Sequence, residues 1–178
     1  EPIELDTTTK VRAVTFSENQ YRSEPSDLTL YIQVYGDIPV NDNGWTINSK
    51  GYVTGYYGYE INPIVPDKIF STTVTGVAES TFENMTFIEG ITLPETCTYI
   101  DNYAFKGCKY LDTINAPGVT TVRIESFINC TLLDYVNLPK LKTLSRGCFR
   151  NCGELNNLPV DNFTLIPQYA FAYCSFSN

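Results

Sequence analysis

LDTINAPGVTTVRIESFINC (residues 111–130) is one turn of a repeat, and the segments on both sides carry the same apolar positions. In steps of 22 residues, Phe127 aligns with Phe105, Phe149 and Phe171, and Cys130 with Cys108, Cys152 and Cys174. Leu111, Leu133 and Leu155 form another column, as do Ile114, Val136 and Leu158. Ile100, Val122, Leu144 and Ile166 form a further one. An earlier copy lies 23 residues back, where Val77, Phe82, Met85, Ile88 and Ile91 map onto Ile100, Phe105, Cys108, Leu111 and Ile114. The extra residue is expected between Pro94 and Ile100, where a loop absorbs it.

A fixed period of about 20–29 residues with leucine-like positions marks a leucine-rich solenoid. In the LxxIxA stretch Ile114 and Ala116 alternate with Thr113, Asn115 and Pro117, as in a strand with one buried face. Stacking such strands gives a parallel sheet. The VxxV stretch, Val119 and Val122, reads as a second short extended segment. IDNYAFKGC (residues 100–108) and LSRGCFRNC (residues 144–152) read as short helical turns on the opposite side. The expected fold is therefore α/β: a leucine-rich-repeat solenoid with a parallel sheet on one face, helical turns opposite and a small β-rich N-terminal cap.

The cap reading comes from residues 1–67, which do not follow the repeat. Residues 1–9 are polar and acidic and read as a tether. Leu28, Leu30, Ile32 and Val34 alternate with Thr29, Tyr31, Gln33 and Tyr35, a strand pattern. Trp45 to Asn48 and Tyr52 to Ile61 are further strand candidates, and Pro63 and Pro66 read as a break before repeats spanning 68–178. A solenoid needs its first coil covered, because an open sheet edge invites aggregation.

Composition removes several function classes. The chain has no histidine, so a Ser-His-Asp triad, a Cys-His pair and an imidazole metal site are excluded. GYVTGYYG (residues 51–58) has the wrong spacing for a phosphate-binding glycine loop. Net charge is −8, which disfavours nucleic acid as a partner. No apolar run approaches the ~20 residues of a membrane-spanning helix. Six cysteines in one chain suggest disulfides. However, four of them share one repeat slot that Met85 fills earlier, so buried free thiols are the expectation and a bridge between adjacent coils remains the alternative. Cys148 and Cys152 alone make a poor metal site. No cofactor is implied. Start and composition together suggest a mature chain whose targeting segment was removed.

The repeat resembles a known family. ITLPETCTYIDNYAFKGCKYL (residues 91–111) looks like the BspA-type leucine-rich repeat of bacterial surface proteins, on Ile91, Leu93, Pro94, Ile100, Tyr103, Ala104, Phe105, Gly107 and Cys108. KIFSTTVTGVAESTFENM (residues 68–85) resembles the opening partial repeat of Bacteroides-like members. Later copies drift: Glu125-Ser126 and Gly147-Cys148 replace Tyr-Ala, and the proline column is lost at Asp161. The resemblance implies a protein at the cell surface or outside the cell that adheres to host matrix proteins or other cells, without catalysis.

Three surfaces are candidates for recognition. On the sheet face, Glu89, Asp112, Asp134 and Asn156 form an outward column beside Thr92, Thr113, Asn115, Tyr135, Asn137 and Asn157, suited to a basic protein ligand or a cation. An aromatic cluster of Trp45, Tyr52, Tyr56, Tyr57 and Tyr59 is the alternative, a platform for glycan stacking. The third is a basic set, Lys106, Lys109, Arg123, Lys140, Lys142, Arg146 and Arg150, which reads as a mixed solvated surface. An extracellular protein ligand is thus the expected partner, a glycan the alternative, and an end-to-end homodimer an added expectation. A carboxylate-pair glycosidase is the weakest reading, since regular repeats offer no cleft.

Overall fold

The computed structural model describes the backbone of residues 10–17 and 28–35, then residues 41, 43–153, 155, 158, 163 and 165–175. The chain divides into two compact units, residues 1–39 and 40–178. In the first, β1 (Lys10–Ser17) pairs antiparallel with β2 (Leu28–Tyr35), from Lys10 opposite Tyr35 to Ser17 opposite Leu28.

The second unit is the solenoid. It opens with an antiparallel pair, β3 (Trp45–Ile47) and β4 (Tyr52–Tyr56), joined by a tight turn. Gly51 supplies the left-handed φ of 84° there, and the Asn48 side chain accepts the amides of Lys50 and Tyr52. A short hairpin of β5 (Lys68–Ile69) and β6 (Thr72–Thr73) follows. Each coil then lays down a two-residue strand, a turn and a three-residue strand. These are β7 (Gly76–Val77) and β8 (Gly90–Thr92), β9 (Tyr99–Ile100) and β10 (Thr113–Asn115), β11 (Thr121–Val122) and β12 (Tyr135–Asn137), and lastly β13 (Thr143–Leu144).

Two walls result. β8, β10 and β12 form a parallel three-stranded sheet, and β4, β7, β9, β11 and β13 form a second parallel sheet that β3 extends. The inward residues are the ones the alternation selects: Ile114, Ala116, Val119 and Val122 are fully buried.

The core is a ladder of phenylalanines. Phe82, Phe105, Phe127 and Phe149 stack with ring planes within 5° of parallel and centroids 4.8–5.0 Å apart. That spacing is the ~4.8 Å separation of hydrogen-bonded strands, so the backbone repeat sets the ring stack. Phe171 continues it at 5.8 Å. Each fully buried ring contributes roughly 1.5–3 kcal/mol from burial.

The helical turns expected opposite the sheet are not present: the described residues contain no helix. In residues 101–108 the amides alternate. Those of Ala104, Lys106 and Cys108 bond three residues back, while those of Tyr103, Phe105 and Gly107 bond Ile124, Ser126 and Ile128 of the next coil. A helix would turn every amide onto the carbonyl four residues back in its own coil. Here every second one runs along the solenoid axis. Two residues per coil take left-handed backbone to allow it, Tyr103 and Gly107, then Glu125 and Asn129. The turn side is therefore a third hydrogen-bonded ladder.

The one-residue surplus of the early repeat lies in the turn after β8, where the Cys97 amide closes onto the Pro94 carbonyl. It brings the Glu95 carbonyl against the next coil. A Cβ on Gly118 would stand 2.0 Å from that oxygen, so the neighbouring position must be glycine.

Candidate functional site

The sheet face is organised by strand register. Gly90, Thr113 and Tyr135 lie side by side, as do Thr92, Asn115 and Asn137. One residue before each strand, Glu89, Asp112 and Asp134 are exposed. Their backbones are linked, since the Asp112 amide donates to the Glu89 carbonyl at 2.7 Å and the Asp134 amide to the Asp112 carbonyl at 3.0 Å. The three carboxylates thus occupy successive coils ~4.8 Å apart along the axis. Asn137 donates its side-chain amide to the Asn115 side-chain oxygen Oδ1 at 2.7 Å, which fixes that column. Tyr135 is 47% exposed and supplies the face with an aromatic ring. Asn156 and Asn157 lie outside the described residues.

Sequence reasoning missed the near edge of this face. Pro63 and Pro66 read as breakers, yet residues 61–65 run alongside β8, joined to it by one parallel bridge and backbone hydrogen bonds. Ile64 bridges Thr92, the Ile61 carbonyl accepts the Glu89 and Gly90 amides, and the Pro63 carbonyl accepts the Thr92 amide. Proline fits because an edge position has no ladder bond to give on its outer side. The Asn62 side chain covers Gly90, with its oxygen 2.6 Å from where a Cβ would sit. Ile64, 71% exposed, borders the column of Thr92, Asn115 and Asn137.

The aromatic candidates separate. Trp45 and Tyr56 are buried. Their rings meet at 4.2 Å with planes tilted by 32°, and Trp45 meets Phe82 edge-on at 6.3 Å, closing the phenylalanine ladder at its first coil. Tyr52 leans over Gly76 and stacks on Tyr99 at 5.6 Å. Tyr57 is half-buried, and Tyr59 is exposed. The five do not form one exposed platform.

The basic residues also spread over different sides. Lys106 pairs with Glu83 at 2.9 Å on the turn side, which holds the Glu83 carboxyl below its usual range and the Lys106 ammonium above its own. Lys140 pairs with Glu95 at 2.6 Å, in the turns that follow the three-stranded sheet. Arg123 lies over Tyr99. Arg146 and Arg150 cover Tyr169, and Arg150 also covers Tyr173.

All six cysteines are free thiols. Cys108, Cys130 and Cys152 each donate to the carbonyl of the phenylalanine in the preceding coil at 3.0 Å, and Cys174 does so at 2.8 Å. Burial pushes the Cys97 and Cys148 thiols up to about 12. Among the described residues no group of histidine, cysteine or carboxylate side chains could hold a metal ion, and no helix is long and apolar enough to cross a membrane.

Solved structures share this architecture. A leucine-rich repeat protein of T. pallidum is 24% identical, with a TM-score of 0.64 over 75% of this chain and 65% of its own. One from Bacteroides ovatus is 21% identical, with a TM-score of 0.62 over 76% of this chain and 38% of its own. A leucine-rich cell surface protein of Faecalibacterium prausnitzii is 18% identical, with a TM-score of 0.60 over 73% of this chain and 38% of its own. This chain therefore spans less than two thirds of each. No curated protein matches it. The model of the BspA-type leucine-rich repeat region matches residues 62–178 in six copies, and the chain belongs to that family.

Proposed function

We propose that this protein is a non-catalytic binding module, exposed at the cell surface or secreted, which recognises a basic protein ligand through the three-stranded sheet. The observation that carries this reading is the exposed column Glu89, Asp112 and Asp134 flanked by Tyr135 and the Asn115–Asn137 pair. Carboxylates in a row complement lysine and arginine on a partner, and they chiefly set association rate and specificity. The exposed aromatic ring supplies a contact of the kind enriched at interface centres. The likeness to a leucine-rich cell surface protein of Faecalibacterium prausnitzii supports the location. In this reading residues 1–67 are tether and cap, and residues 68–178 carry recognition.

The test is binding of the intact chain to an array of immobilised matrix proteins and glycans, repeated with Asp112→Lys/Asp134→Lys. A protein hit that weakens with salt and falls by roughly tenfold or more in the double variant is expected. A hit unchanged by the charge reversal would remove the sheet face as the site. Salt-insensitive glycan binding, lost in Tyr59→Ala, would move recognition to the exposed aromatic position. Trp45 is unsuitable as that probe, because its truncation would open the core.

A further inference from the structure

Neighbouring coils place Cys152 and Cys174 in register, with the Phe149 amide bonded to the Ala170 carbonyl and the Asn151 amide to the Ala172 carbonyl just before them. Coils ~4.8 Å apart put paired Cα atoms inside the 4.4–6.8 Å span a disulfide requires. The Cys174 sulfur turns back toward the preceding coil, where it donates to the Phe149 carbonyl at 2.8 Å. The Cys152 amide donates to that same carbonyl at 3.3 Å. The neighbouring Cys152 thiol holds the Cys174 thiol below its ordinary range. Cys174 is half-buried, whereas the other five cysteines are buried. Thiolate character and access together decide which cysteine oxidants reach.

We propose that Cys174 and Cys152 form a peroxide-reactive redox site, in which Cys174 is oxidised first and Cys152 resolves it as an intrachain disulfide. The Cys174 thiolate attacks one oxygen of hydrogen peroxide. The O–O bond breaks, hydroxide leaves with the electron pair, and Cys174 becomes a sulfenic acid. Cys152 gives its proton to that hydroxide, forming water, and its sulfur attacks the Cys174 sulfur. The S–O bond breaks, and the second hydroxide leaves as water with the proton that Cys174 had released at the start. Two thiols and one peroxide thus become one disulfide and two waters, the two sulfurs having lost two electrons. The bond would staple the coil of Cys174 to the one before it. Cys108 and Cys130 sit in the same relation but are fully buried, so peroxide does not reach them.

The chain carries its own assay. No lysine or arginine follows Arg150, so trypsin releases Cys152 and Cys174 on one peptide, residues 151–178, and Cys148 on the separate peptide GCFR. The reduced, intact chain is treated with one equivalent of hydrogen peroxide, quenched with acid, denatured, alkylated and digested. The expected result is a 151–178 peptide lighter by two hydrogens and carrying no alkyl group, with GCFR alkylated. In Cys152→Ser, dimedone should trap a sulfenic acid at Cys174. In Cys174→Ser, the remaining five thiols should stay alkylatable. A 151–178 peptide alkylated at both cysteines, a bridge from Cys148 to Cys152, or dimedone on a residue other than Cys174 would each overturn the proposal.

Discussion

The thiol of Cys130 donates to the backbone carbonyl of Phe105 at 3.0 Å, 25 residues earlier in the chain. The same carbonyl already accepts the Cys108 amide. The two side-chain columns most visible in the sequence are thus one device: each phenylalanine stacks on its neighbour, and the next coil's thiol satisfies the second lone pair of its carbonyl.

Cutting this device should hurt in proportion to what is buried. Phe127→Ala should cost about 3–5 kcal/mol, the range for emptying a core aromatic site. Phe171→Ala, on the half-buried last rung, should cost clearly less. Cys130→Ala removes one sulfur and one weak hydrogen bond and should cost about 1–2 kcal/mol. Urea unfolding of the three variants checks the order; equal midpoints for Phe127→Ala and the parent chain would reject the ladder as the core.

Gly118 tests the early insertion. Its missing Cβ leaves room for the Glu95 carbonyl, which would otherwise lie 2.0 Å away. Both partners are main chain, so no side chain can swing aside. Gly118→Ala should lower stability by about 1–3 kcal/mol, as overpacking does. Gly153→Ala serves as a comparison at a looser approach, 2.5 Å from the Thr131 carbonyl. A thermal melt of Gly118→Ala that matches the parent would show that the turn after β8 yields freely.

The left-handed columns predict a substitution rank. Asn129 holds a φ of 63°, and its side-chain oxygen accepts a hydrogen bond from the Asn151 side-chain amide at 2.9 Å. Asn129→Ala loses that bond and adds the roughly 1–2 kcal/mol cost of left-handed backbone for an ordinary residue. Asn129→Gly loses the bond alone. Alanine should therefore be the worse of the two in denaturant midpoint, the reverse of the order in a helix.

Alkaline pH should destabilise the fold. Cys97 and Cys148 stay protonated in the folded chain up to about 12, because burial disfavours their thiolates. Unfolded thiols ionise near 8.5. Between those values the unfolded chain binds fewer protons, so stability is complete below the unfolded pKa and declines as pH rises. Each thiol contributes on the order of 1–2 kcal/mol to the loss by pH 10. Cys97→Val matches the residue at the equivalent Val119 and should flatten the decline, read from urea midpoints between pH 7 and 10.

Much of the architecture was legible because inter-coil packing imposes a strict period on buried side chains. Ile114, Ala116 and Phe127 announce their burial by spacing alone. The turn side was not legible. Ala104, Phe105 and Cys108 fall at offsets that suit a helix, and what forbids one is the bonding of alternate amides to the next coil, which no local pattern records. The signal that existed was the run of Asn84, Gly107, Asn129 and Asn151 in one column, the residue types that tolerate positive φ. The aromatic cluster misled for a related reason: Trp45 and Tyr56 close the end of the phenylalanine stack, and an end has no period. The carboxylate column was readable by counting, but the bridged segment beside β8 at residues 61–65 was hidden by Pro63 and Pro66.

Register along the sheet face also ties charge to length. Adding one 22-residue unit between β10 and β12 would extend the array by ~4.8 Å and place one more residue in the row of Glu89, Asp112 and Asp134. The contacts that close the ladder at Trp45 would be untouched. The number of units would then act as a dial on multivalency, setting how many cationic groups a partner could engage at once while the shape of each contact stays the same.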